Sequence, residues 1–307
     1  MKKAPSRGLL LVGRIDEMRT NTLWIFVFIG PALILLLIFL IIPIFASLYL
    51  SLTDFNVFAL TDWSRAKFVG FRNFYELFQD ELFWKALFNT FYCLIVAMPV
   101  TVTLSLLNAV LLNREQTRFK NFFKICFFLP FVTNTVAIAI VWSWILNPSY
   151  GILNWFLGLF GIKGPNWLGD PKWAMPSIIM LVVWKAVGYN TLLLLAGLQS
   201  IPDFLYEAAE LDGATSWQKF WYITLPMLRP TMLFITTMMI IGYLQLFEEP
   251  YMLTQGGPLN STLSVVLYLY RQGFKFFRLG YASSIAVVLF LMIAALTFLR
   301  LKLSKQD

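Results

Sequence analysis

Residues 23–50 read LWIFVFIGPALILLLIFLIIPIFASLYL and contain no charged side chain. A helix needs about 20 apolar residues to cross a hydrocarbon core roughly 30 Å thick, so this run is long enough to span a membrane. It is also much longer than the apolar core of a signal peptide, which has about 7–15 residues. We therefore expect it to be retained as a membrane span. The basic residues that precede it are Lys2, Lys3, Arg7, Arg14 and Arg19.

The composition of the whole chain also indicates a membrane protein. Of its 307 residues, 59% are hydrophobic and only 13% are charged, whereas soluble domains carry about 25% charged residues. Because a backbone in lipid must satisfy its own hydrogen bonds, each long apolar block is expected to form a helix. We therefore predict an all-α membrane protein with six transmembrane helices. The predicted spans are 23–51, 86–112, 125–146, 175–198, 231–252 and 281–299.

Several residue types needed for other functions are scarce. The chain has no His, which removes the commonest general base, metal ligand and proton relay. Cys93 and Cys126 lie in apolar blocks without CxxC spacing, so we interpret them as packing residues and predict no metal site. The net charge of +8 would fit a nucleic-acid partner in a soluble protein. Here the basic residues flank apolar spans, so the lipid bilayer explains them and no nucleic acid is expected.

The distribution of Lys and Arg predicts the orientation. With a cytoplasmic N-terminus, 14 of these residues fall in the inner segments and nine in the outer segments. Because cytoplasmic loops are enriched in Lys and Arg, this bias favours both termini in the cytoplasm. The inner segments are 1–22, 113–124, 199–230 and 300–307, and the outer segments are 52–85, 147–173 and 253–279.

Two outer segments have recognisable patterns. Residues 68–85 mix aromatic and charged side chains at helical spacing, which predicts a short interfacial helix with Trp84 at headgroup level. Residues 147–173 are rich in Gly, Pro and Asn, which predicts a turn-like segment.

The inner segment 199–230 contains helix start and stop residues. Pro202 and Asp203 favour a first helical turn, and Gly213 is a natural helix end. The pattern predicts a helix over 203–212 and a second one over about 215–222, which together form a compact knob. Its carboxylates can pair with arginines of a partner. An ordinary loop with amphipathic helices is the alternative that the composition leaves open.

The spacing across this knob resembles a known signature. Glu207-Ala208-Ala209 is followed without a gap by Gly213, Ile223 and Leu225-Pro226. The pattern resembles the coupling signature of permeases in binding-protein-dependent importers of the ATP-binding-cassette (ABC) class. The resemblance implies that segment 199–230 is a coupling loop that docks on a separate ATPase. The coupling residues it implies are Glu207, Ala208, Ala209, Asp212, Gly213, Ile223, Leu225 and Pro226.

Other stretches are similar to maltose-type sugar permeases, and the resemblance covers roughly residues 22–303. It implies a type I ABC importer permease fold, with a cytoplasmic segment 1–22 before a transmembrane domain 23–303. It also implies import of a di- or oligosaccharide through the bacterial cytoplasmic membrane. The implied partners are a second homologous permease in a heterodimer, an ATPase dimer and an extracytoplasmic solute-binding protein. The similar stretches are 68–74, 147–154, 197–202 and 253–258.

The sequence contains no G-x-x-x-x-G-K-[ST] phosphate loop. If ATP drives transport, ATP and Mg²⁺ are therefore expected to bind to the partner ATPase. We interpret the chain as a transport subunit and not as an enzyme, with no catalytic residue and no cofactor of its own.

Three charged residues lie within the predicted spans: Lys185, Glu248 and Glu249. Such groups are costly in lipid and are therefore functional candidates. Sugars are bound by hydrogen-bonding side chains and by aromatic faces, and the neighbouring sequence supplies both. The resemblance further implies that Tyr189 and Gln245 line a sugar cavity. The candidate substrate path is Asn134, Trp142, Lys185, Tyr189, Asn190, Gln245, Glu248 and Glu249.

Simpler interpretations of these residues stay open. Lys185 can pair with Glu248 or with a partner subunit, and both glutamates can lie at the water interface. Trp142 can be a packing residue, and Asn134 can be an interhelical hydrogen-bonding residue.

Two other functions are also considered. A permease for glycerol-3-phosphate or its diesters would need cationic ligands, and Lys185 is the only one in the spans. An ion-coupled secondary transporter would need relay carboxylates or inverted repeats, but Glu248 and Glu249 are adjacent and no repeat is visible.

Overall fold

A computed structural model describes residues 27–62, 66–114 and 117–304. The predicted segment 1–22 and residues 23–26 of the first span lie outside the described residues. Within the described ranges, the regular structure is helical apart from one bridge between Thr53 and Phe68. The α-helices of four or more residues are α1 (Val27–Ser51), α2 (Val57–Thr61), α3 (Arg72–Gln79), α4 (Glu81–Asn113), α5 (Lys120–Val132), α6 (Thr135–Ile145), α7 (Ile152–Leu159), α8 (Pro171–Gln199), α9 (Asp203–Leu211), α10 (Ser216–Lys219), α11 (Arg229–Leu244), α12 (Glu248–Leu253), α13 (Val265–Tyr270) and α14 (Leu279–Ser304). Shorter helical elements are the π-helical turns Phe220–Thr224 and Arg271–Lys275 and the turn Leu225–Met227.

Five segments of the described chain are helical, long and apolar enough to cross a membrane as single units. The pair α5 and α6 makes a sixth if it is counted as one broken span. The all-α, six-span membrane fold expected from the sequence is therefore confirmed. The five single units are Val27–Ser51, Glu81–Asn113, Pro171–Gln199, Arg229–Leu253 and Leu279–Lys302.

The third span differs from the single helix expected over 125–146. It is bent by 100° between α5 and α6. Pro130 has no backbone N–H to donate within α5, and Thr133 adopts an extended conformation. Asn134 then starts a new helix, because its Oδ1 accepts a hydrogen bond of 2.8 Å from the backbone N–H of Val136.

The fifth span is also interrupted. The α-helical pattern of α11 ends at Leu244, and α12 begins at Glu248. Between them Phe247 has φ −139° and ψ −54°, outside the helical region. Irregular backbone at membrane depth is tolerated where it lines a cavity or is buried in protein. The two interruptions therefore mark the region where a path through the protein is most readily built.

The main hydrophobic core is formed by buried side chains of α4, α8, α11, α13 and α14, and α5 packs closely on α8. Gly188 of α8 permits this close approach, because a Cβ there would stand 1.6 Å from the carbonyl oxygen of Phe127 in α5. Ser105 of α4 donates a 3.1 Å hydrogen bond to the carbonyl oxygen of Val187. By contrast, α1 packs on α14, and none of the residues in the most apolar stretch of α1 is buried.

The outer segments contain more helix than the sequence predicts. Residues 152–159 of the expected turn-like segment form α7, an apolar helix held by Asn154. The Nδ2 of Asn154 donates to the carbonyl oxygens of Pro148 and Pro165, and its Oδ1 accepts from Trp167 at 2.6 Å. The turn residues predicted here flank this helix and do not extend through it, so the expectation is wrong for 152–159.

The interfacial helix expected over 68–85 is likewise divided. Helix α3 ends at Gln79, and Asp80 caps α4 through a 2.9 Å hydrogen bond from the N–H of Leu82. Trp84 lies in the first turn of α4 and donates to the carbonyl oxygen of Phe78 at 2.8 Å. The helix breaks because Asp80 takes an extended conformation and favours a new N-terminus.

Asp80 also ties this junction to the end of the chain. Its Oδ2 accepts hydrogen bonds from the hydroxyls of Tyr268 and Tyr281. Burial raises the pKa of Asp80, but the hydrogen bonds from these tyrosines and from backbone N–H groups outweigh it, so the pKa lies below its ordinary value. The N-terminal ends of α4 and α14 are thereby held to α13.

Candidate functional site

A cavity of about 460 Å³ lies where the two interrupted spans meet α8. Its wall combines charged, hydroxyl and aromatic side chains, which is typical of small-molecule sites. The lining residues are Phe131, Thr133, Asn134, Thr135, Val136, Lys185, Phe247, Glu248, Tyr251, Met252 and Tyr270.

Lys185 is the centre of the charge arrangement. It lies near the middle of α8, and its Nζ donates to Thr135 Oγ1 at 2.5 Å and to Glu249 Oε1 at 3.2 Å. Glu248 Oε2 stands 4.0 Å from the same nitrogen. The pairing of Lys185 with Glu248 that the sequence left open is therefore secondary, and Glu249 is the main partner.

The two neighbouring carboxylates have different environments. The Glu249 side chain is 12% exposed behind Lys185, whereas the Glu248 side chain is 62% exposed towards the cavity. One cation and two carboxylates give the cluster a formal charge of −1. A ligand in the cavity therefore meets a carboxylate with spare acceptor capacity next to a lysine that is already engaged.

The other predicted path residues divide into two groups. Asn134 lines the cavity, but as the N-cap of α6 and not as an interhelical hydrogen-bonding residue. Tyr189 stands one layer behind the wall, since its ring stacks on that of Phe131 with centroids 4.4 Å apart.

The remaining three predicted residues do not belong to the cavity wall. Trp142 packs against Trp184 with ring centroids 5.6 Å apart. Asn190 is buried and donates to the carbonyl oxygen of Ala186 at 2.8 Å. Gln245 is exposed at the C-terminal end of α11.

Sequence reasoning missed much of the aromatic wall. The rings of Phe247 and Tyr251 are stacked with centroids 5.2 Å apart, and Tyr270 lies 5.2 Å from Phe247 and 5.4 Å from Tyr251. The spacing of Phe247 and Tyr251 around the two glutamates was available in the sequence. Tyr270 was not detectable in this way, because it comes from α13 in the following outer segment.

The predicted knob is present in the inner segment 199–230. Helix α9 ends at Leu211, and Gly213 follows with φ +76°, a left-handed conformation that favours glycine. A Cβ on Gly213 would meet nothing within 4 Å, so the backbone conformation and not space selects glycine. Thr215 and Gln218 then form a reciprocal capping box that starts α10.

Two side-chain contacts give the knob a definite shape. Lys219 Nζ lies 2.5 Å from Glu210 Oε1 and joins α10 to α9. The Tyr206 hydroxyl hydrogen-bonds Thr224 Oγ1 at 2.9 Å, which links α9 to the chain that enters α11. Among the predicted coupling residues, Ile223 and Leu225 are half-buried. The exposed ones are Glu207, Ala208, Asp212, Gly213 and Pro226, and Ala209 is half-buried.

Several large apolar side chains of the knob are exposed at its surface. Phe204, Leu211, Trp217 and Tyr222 are each more than 60% exposed. Large exposed apolar side chains rimmed by polar groups mark protein interaction sites. The apolar spans, the polar cavity and this projecting knob together define a multi-pass membrane transport subunit.

The chain belongs to the family of binding-protein-dependent transport system inner membrane components, which it matches over residues 101–305. It is similar to the lactose transport system permease protein LacF of Rhizobium radiobacter, with 40% identity over 282 residues, covering 90% of this chain and 92% of that protein. The trehalose/maltose transport system permease protein MalF of Thermococcus litoralis is 34% identical and covers 91% of this chain and 93% of its own length. The arabinooligosaccharides transport system permease protein AraP of Bacillus subtilis is 35% identical, with 91% and 88% covered.

The fold comparison agrees with the family. One chain in the crystal structure of a bacterial ABC transporter involved in the import of the acidic polysaccharide alginate superposes with a TM-score of 0.81. The two chains are 25% identical, and the match covers 95% of this chain and 99% of that one. The fold is therefore that of an ABC importer permease.

Proposed function

We propose that this permease imports a neutral di- or oligosaccharide and that the cavity at Lys185 is its share of the translocation path. The observation that carries the proposal is the cavity itself. It lies between two interrupted spans and presents the exposed carboxylate of Glu248 beside the aromatic rings of Phe247, Tyr251 and Tyr270. The relatives named for lactose, trehalose/maltose and arabinooligosaccharides support a sugar as the cargo.

The charges favour a neutral ligand over an anion. Lys185 is engaged by Thr135 and Glu249 and has Glu248 within 4.0 Å. A phosphate that enters would meet an excess of negative charge and would have to displace an existing partner of Lys185. A sugar hydroxyl can instead donate directly to Glu248, which makes glycerol phosphate esters the less favoured cargo.

The position of the site also supports transport. Transporter sites are commonly built at interrupted helices near the bilayer midplane. Here the N-terminus of α6 and the break before α12 both open onto the same cavity, and Tyr189 lies behind Phe131 as a proposed part of the same path.

Coupling is proposed to pass through the knob at 199–230. A separate ATPase dimer, which binds ATP and Mg²⁺, docks on its exposed apolar and acidic side chains. Motion of the knob reaches Thr224 through Tyr206 and then enters α11. This helix has 16 residues, or about 24 Å at 1.5 Å per residue, and its far end carries the break beside Glu248. Helix α11 thus lies between the knob, which precedes its first residue, and the interruption beside the cavity, which follows its last residue.

The proposed assembly contains a second homologous permease, the ATPase dimer and an extracytoplasmic binding protein, in the bacterial cytoplasmic membrane. A structural relative crystallised as an alginate transporter in complex with a pentasaccharide-bound periplasmic protein supports the last partner; its chain is 26% identical with a TM-score of 0.80.

The cargo is tested by uptake into liposomes that contain both permeases, the ATPase and the binding protein. Lactose, trehalose and arabinotriose serve as probes, with Glu248→Ala and Lys185→Ala as variants. A hydrogen bond to a charged group contributes about 1.5–3 kcal/mol, so Glu248→Ala should weaken sugar uptake roughly 10- to 150-fold. The ATPase should still copurify. Normal sugar uptake by Glu248→Ala would remove Glu248 from the site, and failure of the wild-type complex to take up any of the three sugars would reject the proposed cargo.

The orientation is tested by thiol labelling of intact cells. Ser216→Cys and Lys163→Cys are made separately in a Cys93→Ser/Cys126→Ser background, and both positions are exposed. An impermeant reagent should label position 163 in intact cells and position 216 only after lysis. The reverse pattern would place the knob outside and exclude its proposed role.

A further inference from the structure

We infer that the rings of Phe247, Tyr251, Tyr270 and Phe274 form an outer aromatic ladder, a second sugar subsite that leads from the outer surface to Glu248. The inference rests on the proposed function and adds a binding site of its own. Its ligand is a chain of at least two sugar rings, bound through the apolar C–H faces of those rings.

The rings form a continuous series. Phe247 and Tyr251 are stacked at 5.2 Å with 16° between their planes, and Tyr270 stands 5.2 Å from Phe247. Tyr270 then stacks on Phe274 at 5.4 Å with 29° between the planes. Phe247, Tyr251 and Tyr270 line the cavity, whereas Phe274 is 63% exposed. The series therefore begins beside Glu248 and ends at the surface.

The ladder opens on the side opposite the coupling knob. Tyr270 and Phe274 belong to the segment that joins the fifth span to the sixth, while the knob joins the fourth to the fifth. The two segments are thus separated by the full length of α11. With the knob in the cytoplasm, the ladder faces the side from which an importer receives its cargo.

The segment that carries the ladder is held firmly. Lys85 Nζ donates to the carbonyl oxygen of Leu259 at 2.7 Å, and Asn89 Nδ2 donates to that of Leu263 at 3.0 Å. Arg271, next to Tyr270, donates to Asn260 Oδ1 at 3.0 Å. A fixed backbone keeps aromatic faces in place and reduces the ordering cost of binding.

Core packing uses only part of the ladder. Phe247, Tyr251 and Tyr270 pack against the hydrophobic core, but each of them is only partly buried. On α13 the side chains of Val265, Leu267 and Tyr268 lie deeper, at most 3% exposed. The three ladder rings also line the cavity, so part of their surface stays accessible to a ligand.

The chemistry fits successive sugar rings. Sugars place apolar C–H faces against aromatic rings and direct their hydroxyls to polar groups at the edge. Tyr251 and Tyr270 keep part of their surface accessible beside the rings that they contact. One sugar unit at Glu248 can thus have its neighbour on Tyr270, so that the ladder selects for chain length.

The test compares binding of lactose, arabinobiose, arabinotriose and arabinotetraose to the complete permease–ATPase complex by equilibrium dialysis. Tyr270→Leu removes the central ring but keeps an apolar side chain, and Tyr270→Phe keeps the ring. Aromatic contacts of this kind contribute about a 2- to 10-fold change in affinity. We expect Tyr270→Leu to weaken trisaccharide and tetrasaccharide binding by that factor, with a smaller effect on the disaccharides and none from Tyr270→Phe.

Controls separate the possible failures. Phe290→Leu removes an aromatic ring that is 58% exposed on α14, away from the cavity, and should change nothing. Copurification of the ATPase shows that each variant is folded. Wild-type affinity of Tyr270→Leu for every sugar, or an equal loss in Phe290→Leu, would overturn the ladder alone. If the wild-type complex binds none of the four sugars, both the ladder and the proposed cargo are rejected.

Discussion

The coupling knob and the cavity are built in contrasting ways. The knob is made of consecutive residues, with helix starts, a left-handed glycine and a capping box all between residues 202 and 218. The cavity takes its side chains from α5, α6, α8, α12 and α13, which are remote in sequence. A surface built locally can be recognised from its sequence pattern, whereas one assembled from distant segments requires the packing of the whole domain.

The two regions also use charge differently. In the knob, Lys219 pairs with the exposed carboxylate of Glu210. Ion pairs with an exposed partner contribute little to stability. In the cavity the Lys185–Glu249 pair is mostly removed from solvent, where loss of one partner leaves a costly unpaired charge. A single substitution in the cavity should therefore have a larger effect than one in the knob.

The largest effect is expected in the cavity. Glu249→Ala leaves Lys185 paired only with Thr135 and the more distant Glu248. Loss of one partner from a largely buried pair costs about 3 kcal/mol, so the thermal midpoint of the purified protein in detergent should fall clearly. The double variant Glu249→Ala/Lys185→Ala should recover most of this loss, because no unpaired cation remains. A double variant as unstable as Glu249→Ala would mean that the charge pair is not the cause.

A smaller effect is expected in the knob, on coupling and not on stability. A non-glycine residue in the left-handed conformation costs about 1–2 kcal/mol. Gly213→Val should therefore reduce ATPase docking or substrate-stimulated ATP hydrolysis by roughly 5- to 30-fold while the permease still inserts. Gly213→Asn is the matched control, since Asn tolerates this conformation. Normal docking and hydrolysis in Gly213→Val would remove the knob from the coupling route.

The smallest effect is expected at the link between the two regions. Tyr206→Phe removes the 2.9 Å hydrogen bond to Thr224 without changing the ring. One such bond contributes about 1 kcal/mol, or roughly a 5-fold change. We expect ATPase copurification to be normal and the amount of sugar moved per ATP hydrolysed to fall by about this factor. Ser200→Ala is the control. It removes only a local hydrogen bond to the carbonyl oxygen of Gly197 at the C-terminal end of α8, so the amount of sugar moved per ATP hydrolysed should not change.

The membrane fold followed directly from hydropathy, because lipid requires each spanning segment to be apolar along its whole length. The knob followed from local rules for helix ends. Pro202, Asp203 and Gly213 each act on the backbone within one turn, so their effect needs no tertiary partner. These features were predicted together with their residue positions.

The breaks in the third and fifth spans were not predicted. Pro130 and Asn134 are visible in the sequence, but proline is tolerated within membrane helices when neighbours satisfy the freed backbone groups. Pro99 lies inside the continuous helix α4, whereas the chain three residues after Pro130 turns by 100°. The surroundings of each proline, and not its presence, decide between a continuous helix and a break.

The sequence alone established that the chain crosses the membrane, that three ionisable groups lie in its spans and that a projecting knob follows the fourth span. Only the tertiary structure decided that Lys185 binds Glu249 and Thr135, that Glu248 is left facing the cavity, and that Tyr270 joins the wall from the outer segment. The physical reason is the distance along the sequence over which each interaction acts. Hydrophobicity and helix capping act between neighbours in sequence, whereas charge pairing and ring stacking depend on which helix faces contact each other once the spans have packed.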